Sequence, residues 1–321
     1  MKRYPMKLKA AVFENIWGGT RLMEEYGIKT DKANAAEAWM LSCNKDGYSV
    51  IENGDYAGKT LQDVFEADRS IAGFHDAEFS KFPVLIKFID ARGDLSVQVH
   101  PDDTYAQYIG EGDGKTECWY ILDCEEDAEL IVGFKKEISE SEFLDSIAQG
   151  TLIDCVQKFK VKKGDFFFIE AGTLHAICSG VLLAEVQQNS NTTYRIFDYN
   201  RLDKDGLLRP LRVDDAVQVT RREPYRPSRL PEPPEDIGIG ARRTNLVSCE
   251  FFISDVLDIY GSAEGTANSS SFVSLLVLEG IGELACAGET MGLTKGESVF
   301  IPADCGDFRV AGNLKILETR I

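Results

Sequence analysis

Polar side chains alternate with apolar ones in the segment LSVQVHPDD, residues 95–103. Alternate residues of a β-strand point to the same face, so Ser96, Gln98 and His100 would lie together, with the leucine and the two valines on the opposite face. A strand that is apolar on one face and carries serine, glutamine and histidine on the other suggests a barrel whose polar interior binds a ligand.

Two further segments contribute residues of the types that bind metals. Glu117 lies in KTECWY and His175 in EAGTLHAI. Two imidazoles, one carboxylate and one amide oxygen, from Gln98, His100, Glu117 and His175, form a mixed set that suits zinc, with iron, manganese or cobalt as alternatives. An isolated histidine is more often a packed core or surface residue, but two of the three histidines lie in matching strand contexts. The third, His75 in AGFHDAEF, has no such neighbours, and we interpret it as a surface loop residue.

The elements that position these residues are mostly strands. Short apolar runs separated by turn residues are typical of β-strands, and they include FPVLIKFI, LSVQVH, CWYILDC, AELIVGF, DFFFIE and VLLAEV, followed later by FFISDVLDIYG, SFVSLLVLEG, SVFIPA and LKILETR. Helices are fewer. Ser139 and Glu142 form a capping box for a helix that ends at Gly150, and further helices are predicted from Lys59 and Val213. The sequence therefore predicts a mainly β protein with a few helices.

A proline-rich segment divides the chain. Five of its ten prolines lie between residues 224 and 234, where neither a helix nor a central strand could continue. We predict a metal-binding catalytic domain with helical insertions over residues 1–223, a linker over 224–236, and a β domain without metal ligands over 237–321.

A weak internal repeat relates the two halves. KGDFFFIEA at residues 163–171 recurs as KGESVFIPA at residues 295–303. The position of His175 in the first copy is occupied by Asp307 in the second, and no histidine follows His175. We therefore expect two related halves, of which the first binds a metal and the second serves structure.

Composition excludes several functional classes. The chain has 321 residues, 44% of them hydrophobic, which argues against disorder, and its net charge is −18. Such a surface repels nucleic acid and anionic membranes. The sequence shows no secretory signal and no apolar run near the roughly 18 residues of a membrane span. We expect a cytoplasmic protein whose eight scattered cysteines are reduced.

Together these motifs resemble one family. WGG at residues 17–19, LSVQVHPDD, KTECWY, EAGTLHAI and TYRIFDYNR resemble the type I mannose-6-phosphate isomerases (phosphomannose isomerases), in particular the short bacterial form. The resemblance runs from about residue 10 to 205, and more loosely to the end. It implies cupin-type jelly-roll barrels, the second of them degenerate, and one zinc ion held by the four ligands named above. It also implies interconversion of mannose 6-phosphate and fructose 6-phosphate.

This isomerisation moves a proton between C1 and C2 through a cis-enediol(ate). It requires a base, an electrophile for the developing oxyanion and a cationic seat for the phosphate. Arg195 matches the active-site arginine of the family, and its fixed charge suits an oxyanion or phosphate better than it suits a base. Lys115, two residues before Glu117 and on the same strand face, and Glu185 in LLAEVQQ are the candidate bases.

The phosphate seat has four candidates. Lys87 interrupts the apolar run VLIKFI, so its charge should have a partner, either a phosphate or a nearby aspartate. Ser96 could donate its hydroxyl. Arg201 could bind phosphate or be a surface arginine. Trp17 in WGG could position a turn near the pocket or pack in the core.

The resemblance has departures, and two other functions stay open. Ile177 stands where the larger enzymes carry an aromatic residue, and the chain lacks room for their helical domain. The alternatives are another metal cupin, such as an iron dioxygenase or a different sugar isomerase, and a non-catalytic sugar-binding cupin. We expect a small phosphosugar substrate and a monomer or homodimer.

Overall fold

The structure, a computed structural model, describes residues 2–73, 81–203 and 205–321. His75, predicted to be a surface loop residue, lies outside the described residues. Strands far outnumber helices in the described ranges, which confirms the mainly β expectation.

The first half of the chain forms fifteen of these strands within the described residues. They are β1 (Met6–Lys9), β2 (Ala11–Phe13), β3 (Glu37–Leu41), β4 (Cys43–Asn44), β5 (Gly47–Tyr48), β6 (Val50–Ile51), β7 (Val84–Ala91), β8 (Val97–Val99), β9 (Glu117–Cys124), β10 (Glu129–Phe134), β11 (Val156–Lys160), β12 (Phe166–Ile169), β13 (His175–Ile177), β14 (Val181–Gln188) and β15 (Tyr194–Phe197).

The last six strands include four that are 14 or 15 residues long. The six are β16 (Glu235–Ser248), β17 (Ile253–Ala267), β18 (Val273–Cys286), β19 (Glu289–Thr294), β20 (Ser298–Ile301) and β21 (Gly306–Arg320). The α-helices are α1 (Arg21–Tyr26), α2 (Leu61–Ala67), α3 (Asp103–Tyr108), α4 (Glu140–Ala148), α5 (Leu152–Cys155) and α6 (Val213–Val219), and Gly54–Tyr56 and Arg69–Ile71 are short 3-10 helices. In the described residues, no helix is both long enough and apolar enough to cross a membrane.

Two sheets face each other in the first barrel. One has the strand order β12-β9-β14-β7-β3-β2, and the other has the order β11-β10-β13-β8-β15. Side chains from both sheets meet in one core between them, among them Trp119 and Leu183 from the first sheet and Leu130 and Ile177 from the second. This interior contains the predicted ligand face.

Helices cover the outer face of the five-stranded sheet. Val97 and Val99 on β8 pack there against Phe143 on α4 and Ala216 on α6. The capping box predicted at Ser139 is present, and helix α4 follows it. Because β8 buries its valines against helices, its alternate positions are turned towards the barrel interior.

Strand β8 is shorter than the sequence pattern suggests. It covers only Val97–Val99, so Ser96 and His100 flank the strand instead of lying within it. Leu95, expected on the valine face, instead packs with Trp17 in the core of the first barrel.

The second barrel is one strongly bent sheet. Its order is β16-β17-β21-β18-β20-β1-β6, with β19 paired to β18. Register shifts interrupt the pairing between Ile239 and Ala241 and between Val277 and Glu279, where extra residues let the long strands bend. Alternate residues of these strands fill an interior core.

The central strands of the two barrels follow the same order. The strand that carries each copy of the sequence repeat is β12 in the first barrel and β20 in the second. From these strands, the neighbouring strands follow in the order β12-β9-β14-β7-β3 and β20-β18-β21-β17-β16, and corresponding strands occur in the same sequence order. The predicted repeat therefore corresponds to equivalent strands, β12 and β20. The predicted domain boundaries stay a prediction. The structure adds that β1, from the first part of the chain, pairs with β20 in the sheet of the second barrel.

Candidate active site and metal centre

Three predicted ligands converge inside the first barrel. Glu117 begins β9 and His175 begins β13, while His100 directly follows β8. One ligand atom from each of the three lies within 4.8 Å of the others, and all three residues are buried. His175 Nε2 is 3.4 Å from Glu117 Oε1, and His100 Nε2 is 3.7 Å from Glu117 Oε2. The sequence placed these residues on separate strands, and the barrel brings them together.

Backbone carbonyls orient both imidazoles. His100 Nδ1 lies 2.9 Å from the carbonyl oxygen of Thr192, and His175 Nδ1 lies 2.8 Å from that of Thr173. Each Nδ1–H therefore donates to a carbonyl, which leaves the Nε2 lone pair directed at the centre. Burial lowers the pKa of His175 to about 4 and that of His100 well below its ordinary value. Both rings are thus neutral near pH 7, as metal ligands must be.

The residues present fit a metal cation. Among the described residues, the buried atoms His100 Nε2 and Glu117 Oε1 have no hydrogen-bond partner. Buried polar atoms normally have one, so a cation between these atoms would supply the partner that they lack. Gln98, the fourth predicted ligand, lies beside this set, with its side-chain amide nitrogen 3.4 Å from His175 Nε2. Turning that amide by a half rotation would direct Oε1 to the centre.

A buried ion-pair network adjoins these ligands. Lys115 Nζ lies 2.8 Å from Glu117 Oε2 and 3.9 Å from Glu185 Oε1. Lys87 Nζ lies 3.1 Å from Glu185 Oε1 and 3.4 Å from Glu37 Oε2. Three carboxylates thus face two ammonium groups, and the remaining negative charge favours a bound cation.

The two buried glutamates differ in proton affinity. Burial and then the charge of Glu185 raise the pKa of Glu117. Burial alone would raise the pKa of Glu185 too, but the ammonium groups of Lys115 and Lys87 lower it. Glu185 is therefore held as a carboxylate between two lysines. The partner expected for Lys87 was a phosphate or a nearby aspartate, and its partners here are Glu185 and Glu37.

Trp119 was missed by sequence reasoning. Its indole Nε1 donates to Glu185 Oε2 at 3.0 Å, and its ring packs edge-on against His175 at 5.3 Å. It lies two residues after Glu117 on β9, so the spacing that grouped Lys115 with Glu117 would also have found it.

Arg195 lies on the strand next to Gln98. On β15 it pairs in register with Gln98 on β8, and its Nε donates to Ser96 Oγ at 3.2 Å. Its Nη1 donates to the carbonyl oxygen of Pro210 at 3.0 Å. Burial and then the guanidinium of Arg209 lower the pKa of Arg195. The structure thus brings the predicted residues Ser96 and Arg195 together.

A cluster of arginines extends from this point. Arg201 Nη2 donates to Asp198 Oδ1 at 2.6 Å, and Arg209 Nε donates to Asp198 Oδ2 at 2.7 Å. Arg201 and Arg209 therefore share the buried carboxylate of Asp198, whose charge also acts on the nearby guanidinium of Arg195. Neither Arg209 nor Asp198 was among the sequence candidates, since no local pattern distinguishes them. The excess positive charge suits an anion.

Trp17 packs in the interior of the first barrel. It is buried in the core of the first barrel, and its carbonyl accepts a hydrogen bond from Gly93. Gly18 forms a β-bridge with Ala91. Of the two roles that the sequence left open for Trp17, this placement favours packing.

Two family models match the chain. The catalytic domain of phosphomannose isomerase type I matches residues 6–137. The cupin domain of mannose-6-phosphate isomerase matches residues 242–321. The second match confirms the cupin expectation for the C-terminal barrel.

Relatives and solved structures agree with these models. The chain is 38% identical over 324 residues to a mannose-6-phosphate isomerase of Bacillus subtilis, covering 100% of both chains. It is 35% identical over 318 residues to one of Streptococcus mutans, covering 98% of each. A crystal structure of the mannose 6-phosphate isomerase from Bacillus subtilis superposes with a TM-score of 0.93 at 38% identity and covers both chains fully. The chain belongs to the type I mannose-6-phosphate isomerase family.

Proposed function

We propose that this protein interconverts mannose 6-phosphate and fructose 6-phosphate by moving a proton between C1 and C2 through a cis-enediol(ate). One observation carries the proposal. The negatively charged centre of His100, Glu117 and His175 adjoins a positively charged arginine cluster through the paired residues Gln98 and Arg195. A sugar phosphate has the complementary form, with hydroxyl and carbonyl oxygens at one end and a dianion at the other.

The metal that we propose is zinc, held by Gln98, His100, Glu117 and His175. When bound, zinc would supply a Lewis acid that stabilises negative charge on the sugar oxygens. The mixed nitrogen and oxygen ligand set supports zinc, and it also admits iron, manganese or cobalt.

Glu185 and Lys115 are the two groups that can hold the transferred proton. The ionised carboxylate of Glu185 can accept a proton, while the ammonium of Lys115, 3.9 Å away, can donate one. Trp119 and Lys87 fix the position of Glu185 by a hydrogen bond and an ion pair. We assign Lys87 to this positioning role, because two carboxylates already surround its ammonium.

The phosphate seat that we propose consists of Ser96, Arg195, Arg201 and Arg209. Guanidinium groups bind phosphate through paired hydrogen bonds. In the described residues Asp198 is the carboxylate that pairs with Arg201 and Arg209, so the three guanidiniums keep a net positive charge that a phosphate dianion would neutralise. We further propose that the protein acts in the cytoplasm as a monomer or homodimer.

The test is an isomerase assay on the full-length protein. Purified protein is chelated, dialysed and incubated with mannose 6-phosphate, with and without added zinc. We expect fructose 6-phosphate to form only after zinc is restored. Failure to form it with zinc, iron, manganese or cobalt would sink the proposal and favour a different cupin activity.

A further inference from the structure

Two cysteines meet at one end of the second barrel, far along the chain from the metal ligands. Cys286 is the last residue of β18, and Cys305 lies in the turn that precedes β21. Their sulfur atoms are 3.5 Å apart. The backbone reverses sharply beside both of them, at Ala287 with φ 53° and at Asp304 with φ 58°.

The environments of the two thiols differ. Cys286 is buried with 4% of its surface exposed and belongs to the core of the second barrel, whereas Cys305 is partly exposed at its edge. The hydrogen bond between the thiols lowers the pKa of Cys305 and raises that of Cys286, and the charge of Arg3 acts on Cys305 in the same direction. Arg3 is held near Cys305 because its guanidinium donates to the carbonyl of Ala303. The more exposed Cys305 thus favours the thiolate form, whereas the buried Cys286 favours the thiol.

We propose that Cys286 and Cys305 are a peroxide-sensitive dithiol that closes reversibly to a disulfide. The Cys305 thiolate attacks one oxygen of hydrogen peroxide, breaks the O–O bond and becomes a sulfenic acid, while the departing hydroxide takes a proton and leaves as water. The Cys286 thiol then attacks the sulfenic sulfur and expels its oxygen as a second water. Two thiols are oxidised, and one peroxide is reduced to two waters.

The other cysteines do not combine these features. Cys43 and Cys118 are buried, and burial raises the pKa of both thiols well above the ordinary range. The thiols of Cys124 and Cys249 donate to backbone carbonyls at 3.3 Å. Among the described residues, only Cys286 and Cys305 form a hydrogen bond between two thiols.

The experiment treats the full-length protein with hydrogen peroxide, blocks free thiols with an alkylating agent and maps the peptides by mass spectrometry. We expect a peptide pair linked through Cys286 and Cys305, lighter by two hydrogens and released by dithiothreitol. Alkylation of both residues after peroxide treatment, or a disulfide between two chains in their place, would overturn the proposal.

Two variants separate the roles of the sulfurs. In Cys286→Ala, the sulfenic acid on Cys305 has no partner, so dimedone should label it. In Cys305→Ser, neither a disulfide nor dimedone label should form at residue 286. Label on Cys286 in that variant would contradict the order of attack.

Thermal unfolding provides an independent readout. The disulfide would close a loop of about 20 residues and restrict the unfolded chain. We expect peroxide to raise the Tm of the wild-type protein and to leave the Tm of Cys286→Ala unchanged. An equal rise in both proteins would show that the linkage is not responsible.

Discussion

The two barrels share one strand order, and each carries a buried glutamate at the equivalent position of the equivalent strand. Glu185 on β14 lies opposite Lys87 on β7, and Glu318 on β21 lies opposite Asp255 on β17. All four side chains are buried. Both barrels thus keep charged groups at an equivalent position in the interior, but the charged residues around these groups differ.

In the second barrel the charges neutralise each other. Arg320 Nη2 donates to Asp255, and Arg243 Nη2 lies 3.5 Å from Glu318 Oε1. Two guanidiniums therefore match two carboxylates. Glu117, the proposed ligand, pairs with Ile169 at the end of β12. The equivalent residue of the second barrel is Val273, which pairs with Ile301.

The difference shows how one fold can serve either chemistry or structure. The first barrel leaves ligand atoms unsatisfied and separates regions of excess negative and positive charge. The second barrel pairs its charges, and it has Val273 at the position of Glu117 and Asp307 at that of His175. A site for a substrate needs this incomplete pairing, because the ligand itself completes it.

The largest effect is expected from His100→Ala. Loss of one imidazole should empty the metal centre and lower kcat/KM for mannose 6-phosphate by at least about a thousandfold. Elemental analysis should find one zinc per chain in the wild type and none in the variant. Full metal content in His100→Ala would place the metal elsewhere and break the contrast between the barrels.

The equivalent glutamates offer a matched pair of variants. Glu185→Gln should lower kcat by roughly a hundredfold or more, because the ionised carboxylate that can accept the proton is lost. Glu318→Gln should leave kcat unchanged and lower the free energy of unfolding by about 1–3 kcal/mol, since its arginine partners are partly exposed. Steady-state kinetics measures kcat, and urea unfolding measures the free energy of unfolding, for both variants. A large kcat effect in Glu318→Gln would show that the second barrel participates in catalysis.

Arg195→Ala should preserve the metal and lower kcat/KM by roughly a hundredfold, because the guanidinium facing the substrate is removed. Its control is Arg242→Ala, an arginine of the second barrel paired with Asp236 while both are well exposed to solvent. We expect the control to match the wild type. Near-full activity in Arg195→Ala would remove this residue from the catalytic assignment.

The smallest effect is expected from Ser96→Ala. Loss of one hydroxyl donor should raise KM for mannose 6-phosphate by up to about tenfold at constant kcat. Ser298→Ala is the control, since this buried hydroxyl of the second barrel has no hydrogen-bond partner among the described residues. An unchanged KM in Ser96→Ala would remove Ser96 from the phosphate seat.

The sequence predicted features that depend on local spacing. Strand composition indicated the β fold, the capping box at Ser139 gave the start of α4, and the histidine motifs grouped residues that meet in the structure. These features were accessible because periodicity and ligand type are both visible along the chain.

Features that depend on pairing between distant segments could not be predicted from the sequence. Lys87 was given a neighbouring aspartate as an alternative partner, whereas its partners come from two adjacent strands. Arg209 reaches Asp198 through a loop whose path no local pattern encodes. Ser96 was placed within a strand that the structure begins one residue later.

The pairing of β1 with β20 has a consequence for synthesis. Met6 lies opposite Phe300, so β1 cannot form this pairing until the chain has been made as far as β20. Until then the edge of β1 that faces β20 is unpaired, and an unpaired strand edge can pair with other chains. Synthesis of the segment between β1 and β20 thus leaves the nascent chain open to aggregation, and a chaperone that shields β1 should improve the yield of folded protein.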